Sequence, residues 1–444
     1  MPDFDPRALA VVNRLNQAGF RTVLVGGCVR DSLLSIPLHD YDIATAALPQ
    51  QVLELCADLR CVETGLKHGT ITVLSDGLPL EVTTFRKEGD YTDHRRPDKV
   101  TFTDDLSQDL ARRDFTINAM AWGAEGLVDL FGGRSDLEHR LIRCVGEPDR
   151  RFSEDALRPL RGLRLAAQLD FSPEEHTAAA LRRHVPELRY VAWERITAEF
   201  LRLLCSPAAP RVLLEFPEAV VQILPELAPS VGFDQRNPHH CYDVYTHSVK
   251  TLDNVPPDPA LRLAALLHDV GKPPAFTLDE EGVGHFYGHP KISAMLAEKA
   301  LGRLRLDKST QERTLTLIAR HDLPVEPTRR WVGRWLSRLG EEAFFELMAL
   351  KRADGLACAL PGGEREQIRR QAEQLARTMI AEQACFTMKD LAVNGHDAMQ
   401  AGLRGPEIGE ALRTLLDQVA QGELPNERDV LLTQLNEQKE SLEH

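Results

Sequence analysis

Apolar positions change their spacing along this chain, and the changes divide it. In residues 5–19, DPRALAVVNRLNQAG, they recur every three or four positions, which predicts an amphipathic helix. RTVLV (21–25) is a short unbroken apolar run and reads as a buried strand. The glycine pair that follows breaks the strand, and VRDSLL opens a helix. HDYDIAT (39–45) predicts a second strand. GTITVLSDGLPLEVTTF (69–85) predicts two strands around a Ser-Asp-Gly turn. From about residue 150 to the end the period is helical, punctuated by Pro and Gly, with a break at PSVGFDQRNP (229–238). ERDVLLTQLNEQKESLEH predicts a terminal helix with a fraying end. The pattern predicts an α+β chain in four segments: a mixed α/β head over 1–145, a helical segment over 146–235, a histidine-bearing helical domain over 236–356 and a helical tail over 357–444.

A chain of 444 residues is too long for one core and predicts about three domains. Its start, MPDFDPRALAVVNRL, has no basic head followed by an apolar run, so no secretory signal is expected. No stretch approaches the length of a membrane span. Eight scattered cysteines without a CxxC pair argue against a zinc ribbon and a disulfide framework, and predict a cytoplasmic protein. A net charge of −14 means that a nucleic-acid partner must meet a local basic surface. The candidate is residues 139–167, with Arg140, Arg143, Arg150, Arg151, Arg158, Arg161 and Arg164 among few acids.

The chemistry begins at LHDYDIAT, where Asp40 and Asp42 stand two apart. In a strand such residues point the same way, and two carboxylates on one face repel unless a cation lies between them. Alone the pair is a weak signal and reads rather as a solvated turn. It follows LVGGCVRD, however, whose Gly26 and Gly27 let backbone approach a phosphate while Arg30 adds positive charge. A third acid, Glu81, lies on a strand expected beside the aspartates. Three carboxylates suit two Mg²⁺ ions, one acting on a hydroxyl and the other on a triphosphate.

GGCVRD, HDYDIAT, KHGTITV, EVTTFR, RRPDKVTF, ARRDFTINAMA, DLFGGR and RFSEDALRPLRGLRLAAQL, in this order, resemble the motifs of the class II tRNA nucleotidyltransferases. That family comprises the CCA-adding enzymes and the bacterial poly(A) polymerases. The resemblance runs over about residues 20–225, and the rest is similar to the helical branch that carries an HD domain. It implies a nucleotidyltransferase head, a helical neck and body that grip the acceptor stem and elbow of tRNA, and a tRNA-contacting tail. It also implies that Asp40, Asp42 and Glu81 are catalytic, with CTP and ATP as substrates. Arg113 and Asn118 are then expected on the phosphates, Asp114 on the ribose, and Arg161 and Arg164 along the nucleotide. Asp155 and Arg158, three apart on an expected helix, become the base readers. Cytosine and adenine each show an amine donor beside a ring-nitrogen acceptor, which a carboxylate and a guanidinium match; uracil and guanine show the reverse. RKEGDYTDHRRP (86–97) matches the loop that accompanies the change from C to A addition. An A-adding enzyme or a poly(A) polymerase remains the alternative, and behind them a metal-dependent phosphohydrolase whose N-terminal half binds RNA.

The second constellation is histidine-rich. His247, the adjacent His268-Asp269, His289, His321 and Asp354 are similar in order and spacing to the HD phosphohydrolases. The resemblance implies one metal on His247, His268, Asp269 and Asp354, a second brought by His289 and His321, and Lys272 beside the developing charge. Imidazoles with carboxylates suit Mn²⁺, Fe, Ni²⁺ or Zn²⁺ better than Mg²⁺. The implied substrates are 2′,3′-cyclic phosphates or 2′- or 3′-phosphates on damaged tRNA ends.

Overall fold

The computed structural model describes residues 3–66, 69–88, 100–238, 241–358, 363–382 and 384–442. They fall into two compact units, Met1–Ile223 and Leu224–His444. This division is coarser than the four segments read from periodicity. Residues 141–142 pair in parallel with residues 172–173, which ties the head to the helices after it. The second unit starts ahead of the 229–238 break because Pro225–Ser230 forms a 3₁₀ turn whose Glu226 pairs with Arg303 at 2.6 Å.

The head is built on β1 (Thr22–Val25), β2 (Tyr41–Thr45), β3 (Arg60–Gly65), β4 (Thr70–Ser75), β5 (Leu78–Thr84), β6 (Arg86–Glu88), β7 (Val100–Phe102), β8 (Met120–Gly123) and β9 (Gly126–Asp129). Seven of these form one sheet in the order β3-β4-β5-β2-β1-β8-β9, and β6 and β7 form a separate ribbon. β2 runs parallel to β5 and antiparallel to β1. The Asp76-Gly77 turn joins β4 to β5 with both residues at positive φ, the conformation that a two-residue hairpin requires. Every residue of β1 is buried, as its unbroken apolar run predicts. Val23, Val25, Ala44 and Ala121 pack with Phe85, Leu106 and Leu110 in one core cluster. The helix expected over 5–19 spans Pro6–Gln17 and buries Ala8, Val11, Val12 and Leu15. The fold is mixed α+β, as the periodicity implies.

Two expectations are corrected. β2 begins at Tyr41, so Asp40 lies just before the strand and not within it. EDALR is not one helix. The helix Pro148–Glu154 ends at Asp155, whose backbone is extended (φ −138°, ψ 110°), and a new helix starts at Arg158. Pro159 therefore occupies the first turn of Arg158–Leu169, where no amide donor is lost and its fixed φ suits the helix. Gly162 has a packing reason: a Cβ there would meet Phe115 Cζ at 2.9 Å, and Phe115 is fully buried. Among the described residues no helix is long and apolar enough to cross a membrane.

Gly162→Ala is expected to cost about 1–3 kcal/mol of stability through displacement of Phe115. Pro159→Ala should cost less than about 1 kcal/mol, since it removes only first-turn preorganisation. Chemical denaturation of both variants checks the order.

Candidate functional site

In the head, strand register gathers the carboxylates. Asp42 on β2 stands opposite Val25 on β1 and opposite Glu81 on β5. Asp42 is half-buried, while Asp40 and Glu81 are exposed. Burial raises the Asp42 pKa above the usual carboxylate range; Arg113 and Arg161 oppose the rise and Asp40 adds to it. Glu81 is raised too, by partial desolvation and by repulsion from Asp42 and Asp40. The site therefore resists its own negative charge, and a divalent cation would relieve that repulsion.

Gly26 has a positive φ, and a Cβ there would lie 3.1 Å from Arg113 Nη1 and 3.2 Å from Asp42 Oδ2. Any side chain at this position would intrude between the arginine and the acid. Gly27 opens the helix Gly27–Leu33. On that helix Arg30 is buried, pairs with Asp31 at 2.8 Å and donates from Nη1 to Asn118 Oδ1 at 2.7 Å. Arg30 thus fixes the RRDFTIN segment against the turn.

Asp114 is buried and pairs with Arg161 at 2.7 Å. Burial alone would raise its pKa, but Arg161 and Arg158 outweigh it and hold the carboxyl at about 2. Arg113 pairs with the buried Asp109 at 3.2 Å. The Nε atoms of Arg113 and Arg161 are buried without a hydrogen-bond acceptor. Uncompensated donors of this kind are costly unless a ligand supplies the acceptor, and phosphate oxygens do.

Asp155 and Arg158, the residues expected to read the base, are held apart. Arg158 donates to Glu154, to the Arg151 carbonyl at 2.8 Å and to the Arg112 carbonyl at 3.1 Å. Asp155 accepts from Leu157 N at 3.1 Å and from Arg195 Nη2 at 3.0 Å. Arg164 is not gathered with these groups; it is engaged by Glu199 and Gln168. Asp109, Glu154, Arg195 and Glu199 went unnoticed in the sequence reading. Asp109 and Glu154 carry a local signal, since Asp109 stands three and four residues before Arg112 and Arg113, and Glu154 three after Arg151 and four before Arg158. Arg195 and Glu199 meet Asp155 and Arg164 only through the fold. Residues 89–97 of the loop matched to C-to-A switching lie outside the described residues.

In the second unit all six expected ligands converge. His247, His268 and Asp354 form one group with metal-ligand spacing, and Asp269, His289 and His321 form another. Asp269 joins the two, with Oδ2 3.2 Å from His268 Nε2 and Oδ1 3.3 Å from His289 Nε2. Lys272 pairs with the same carboxylate at 2.7 Å. The ring tautomers follow from the backbone. Nδ1 of His268, His289 and His321 each lies 2.8 Å from a carbonyl, of Ala265, Phe286 and Ile318 respectively. A carbonyl only accepts, so each Nδ1 carries hydrogen and each Nε2 is left to face inward. His289 and His321 then bring two Nε2 atoms within 3.1 Å, and the buried His268 Nε2 faces the Asp269 carboxylate without an aligned hydrogen bond. Burial lowers the His268 pKa, but Asp269 and Asp354 outweigh it and raise it to about 10. The acids themselves are held well below the usual range. The donor set could hold a cation, and the backbone carbonyls behind the rings orient them as metal-ligating histidines are oriented.

Comparison with known proteins fits this geometry. A family model described as the poly A polymerase head domain matches residues 22–143, and one for tRNA nucleotidyltransferase domain 2 matches residues 286–435. A CCA-adding enzyme of Levilactobacillus brevis is 35% identical over 97% of this chain and 98% of its own length. The chain belongs to the class II CCA-adding enzyme and poly(A) polymerase family. Another member, from Limosilactobacillus fermentum, is 34% identical over 97% of this chain and 96% of that protein. The solved structure of a Bacillus stearothermophilus CCA-adding enzyme in complex with CTP has a TM-score of 0.72 and 30% identity, with 99% of each chain covered. A Thermotoga maritima CCA-adding enzyme complexed with tRNA shares the fold, with a TM-score of 0.58 at 19% identity over 98% of this chain and 96% of that one.

A folded-state pKa raised above the unfolded value makes an ionised acid destabilising once pH exceeds the unfolded value. Asp42→Asn should therefore raise the melting temperature of the metal-free protein at neutral pH. The gain should vanish below the usual carboxylate pKa, and Mg²⁺ should stabilise the wild type more than the variant. Thermal scans across pH, with and without Mg²⁺, check the sign.

Proposed function

We propose that the head adds C, C and A to tRNA 3′ ends from CTP and ATP, without a nucleic-acid template. The observation that carries this reading is Asp42 set in register with Glu81, beside Arg113 and Arg161 with their unsatisfied Nε donors. Full-length similarity to CCA-adding enzymes supports it. Asp40, Asp42 and Glu81 would hold two Mg²⁺ ions, which supply Lewis acidity toward the attacking hydroxyl and the triphosphate. Arg113 and Arg161 donate to phosphate oxygens, and Gly26 keeps the approach to them open. The tRNA 3′ oxygen bonds to the α-phosphorus in line as the bond to pyrophosphate breaks. Asp155 and Arg158 are already held by Arg195 and Glu154, so they meet the base as fixed groups with limited freedom to re-pair. That rigidity favours C and A and leaves U and G facing mismatched charges. The helical segments grip the acceptor stem and elbow by shape and backbone, as befits an A-form stem. The setting is the cytoplasm.

A second reading concerns the histidine cluster. We infer an HD-type phosphohydrolase site that takes Mn²⁺, Ni²⁺, Fe or Zn²⁺ on the six ligands. The three Nδ1–carbonyl bonds with inward Nε2 atoms favour it. Its substrates are phosphates or cyclic phosphates at RNA ends.

The test is extension of three tRNAs, ending at the discriminator base, at C and at CC, with CTP, ATP or both. Growth of the first to CCA and no further is expected. One A added to the CC-ended tRNA alone identifies an A-adding enzyme, and unlimited A addition a poly(A) polymerase; either overturns the reading. Asp42→Ala should lower extension at least about a thousandfold while leaving metal-dependent phosphatase activity intact. His268→Ala should do the reverse.

A further inference from the structure

The phosphohydrolase reading leaves a built feature beside the cluster unused. Thr277–Leu278 and Gly284–His285 form a small antiparallel hairpin, and Phe286 and Tyr287 lead from it to His289. Tyr287 is 77% exposed, the most exposed large apolar side chain among the described residues. Its ring is not merely left in solvent. It stacks on His285 with centroids 5.3 Å apart and planes 8° from parallel. The Tyr287 hydroxyl lies 3.4 Å from His285 Nδ1, and His285 Nε2 is held by Asp279 at 2.8 Å. Asp279 also accepts the amides of Glu281 and Val283, which fixes the hairpin turn. The pair is thus a flat, braced surface with polar rims.

This surface is coupled to the ligand cluster by the residue between its neighbours. The Phe286 carbonyl accepts from His289 Nδ1, and the Phe286 ring lies 5.3 Å from Lys272 Nζ, which pairs with Asp269. Tyr287 stands two residues before a ligand, a backbone span of at most about 7 Å. One nucleotide covers a comparable reach between its base and its phosphate.

Resting on the phosphohydrolase reading, we propose that Tyr287, backed by His285, stacks the 3′-terminal nucleobase of an RNA whose last phosphate enters the histidine cluster. Aromatic stacking accepts any base, because every base presents a π-face. The surface would therefore select for a nucleotide end without selecting a sequence, as an RNA-end phosphohydrolase requires. For a 2′,3′-cyclic phosphate the reaction adds water across one P–O ester bond: hydroxide goes to phosphorus and the proton to the released ribose oxygen.

The test uses the full-length protein with bound metal and two short RNAs ending in a 2′,3′-cyclic phosphate, one with a normal terminal residue and one whose terminal residue is abasic. Tyr287→Ala should raise KM for the normal RNA about tenfold or more while leaving kcat within about twofold. It should leave KM for the abasic RNA unchanged, because the variant and the abasic end remove the same contact. Tyr287→Trp should restore the normal KM. A 2-aminopurine at the RNA end should be quenched by the wild type and not by Tyr287→Ala. Equal rises in KM for both RNAs, or no rise for either, overturn the platform while leaving the phosphohydrolase reading in place. If the wild-type protein hydrolyses neither RNA with Mn²⁺, Ni²⁺, Fe²⁺ or Zn²⁺, that reading fails and takes the platform with it.

Discussion

Repulsion between like charges, enforced by strand register, is the constraint on which the head depends. A parallel pairing of two strands sets Asp42 against Glu81, and the residue just before the first strand adds Asp40. Nothing in the sheet's own stability calls for this; both Asp42 and Glu81 are pushed toward the protonated form. The surrounding structure then reads as provision for a charged ligand. A glycine stands where a side chain would separate Arg113 from Asp42, and two buried guanidinium Nε atoms lack acceptors. The excess of acid suits cations and the unmet donors suit phosphates, which is the pairing that nucleotidyl transfer requires.

The second unit solves a related problem by other means. Six ligands are drawn from several helices around one bridging carboxylate, and three backbone carbonyls fix the rings. The head offers oxygen donors on and just before two central strands, Asp40 and Glu81 being exposed, and such a set suits a labile ion that comes with its nucleotide. The cluster offers mainly nitrogen donors on buried side chains, a set that suits a resident ion. The two donor sets predict different metals in one chain.

Much of this was legible in the sequence, and the failures have physical causes. The Ser-Asp-Gly turn made the hairpin that carries Glu81 legible, because hairpin pairing follows from local pattern, whereas its parallel pairing with the Asp42 strand is a long-range contact. The histidine ligands were legible as residue types in order. The EDALR break was missed because an acid and an arginine three apart suggest a helix, although Pro159 already marks a helix start there. Arg195 and Glu199, the partners of Asp155 and Arg164, carry no local signal, since only the fold brings them together. The start of the second compact unit at Leu224 likewise carries no local signal, since the Glu226–Arg303 pair spans a long stretch of chain.

The account stands on the claim that the three carboxylates are a divalent-cation site completed by nucleotide. The most direct measurement is Mn²⁺ binding by electron paramagnetic resonance, with CTP present, in protein whose histidine cluster is emptied by His268→Ala and Asp269→Ala. The account predicts Mn²⁺ bound together with CTP and released when Asp42→Asn is added. Mn²⁺ binding that is indifferent to Asp42→Asn would contradict it.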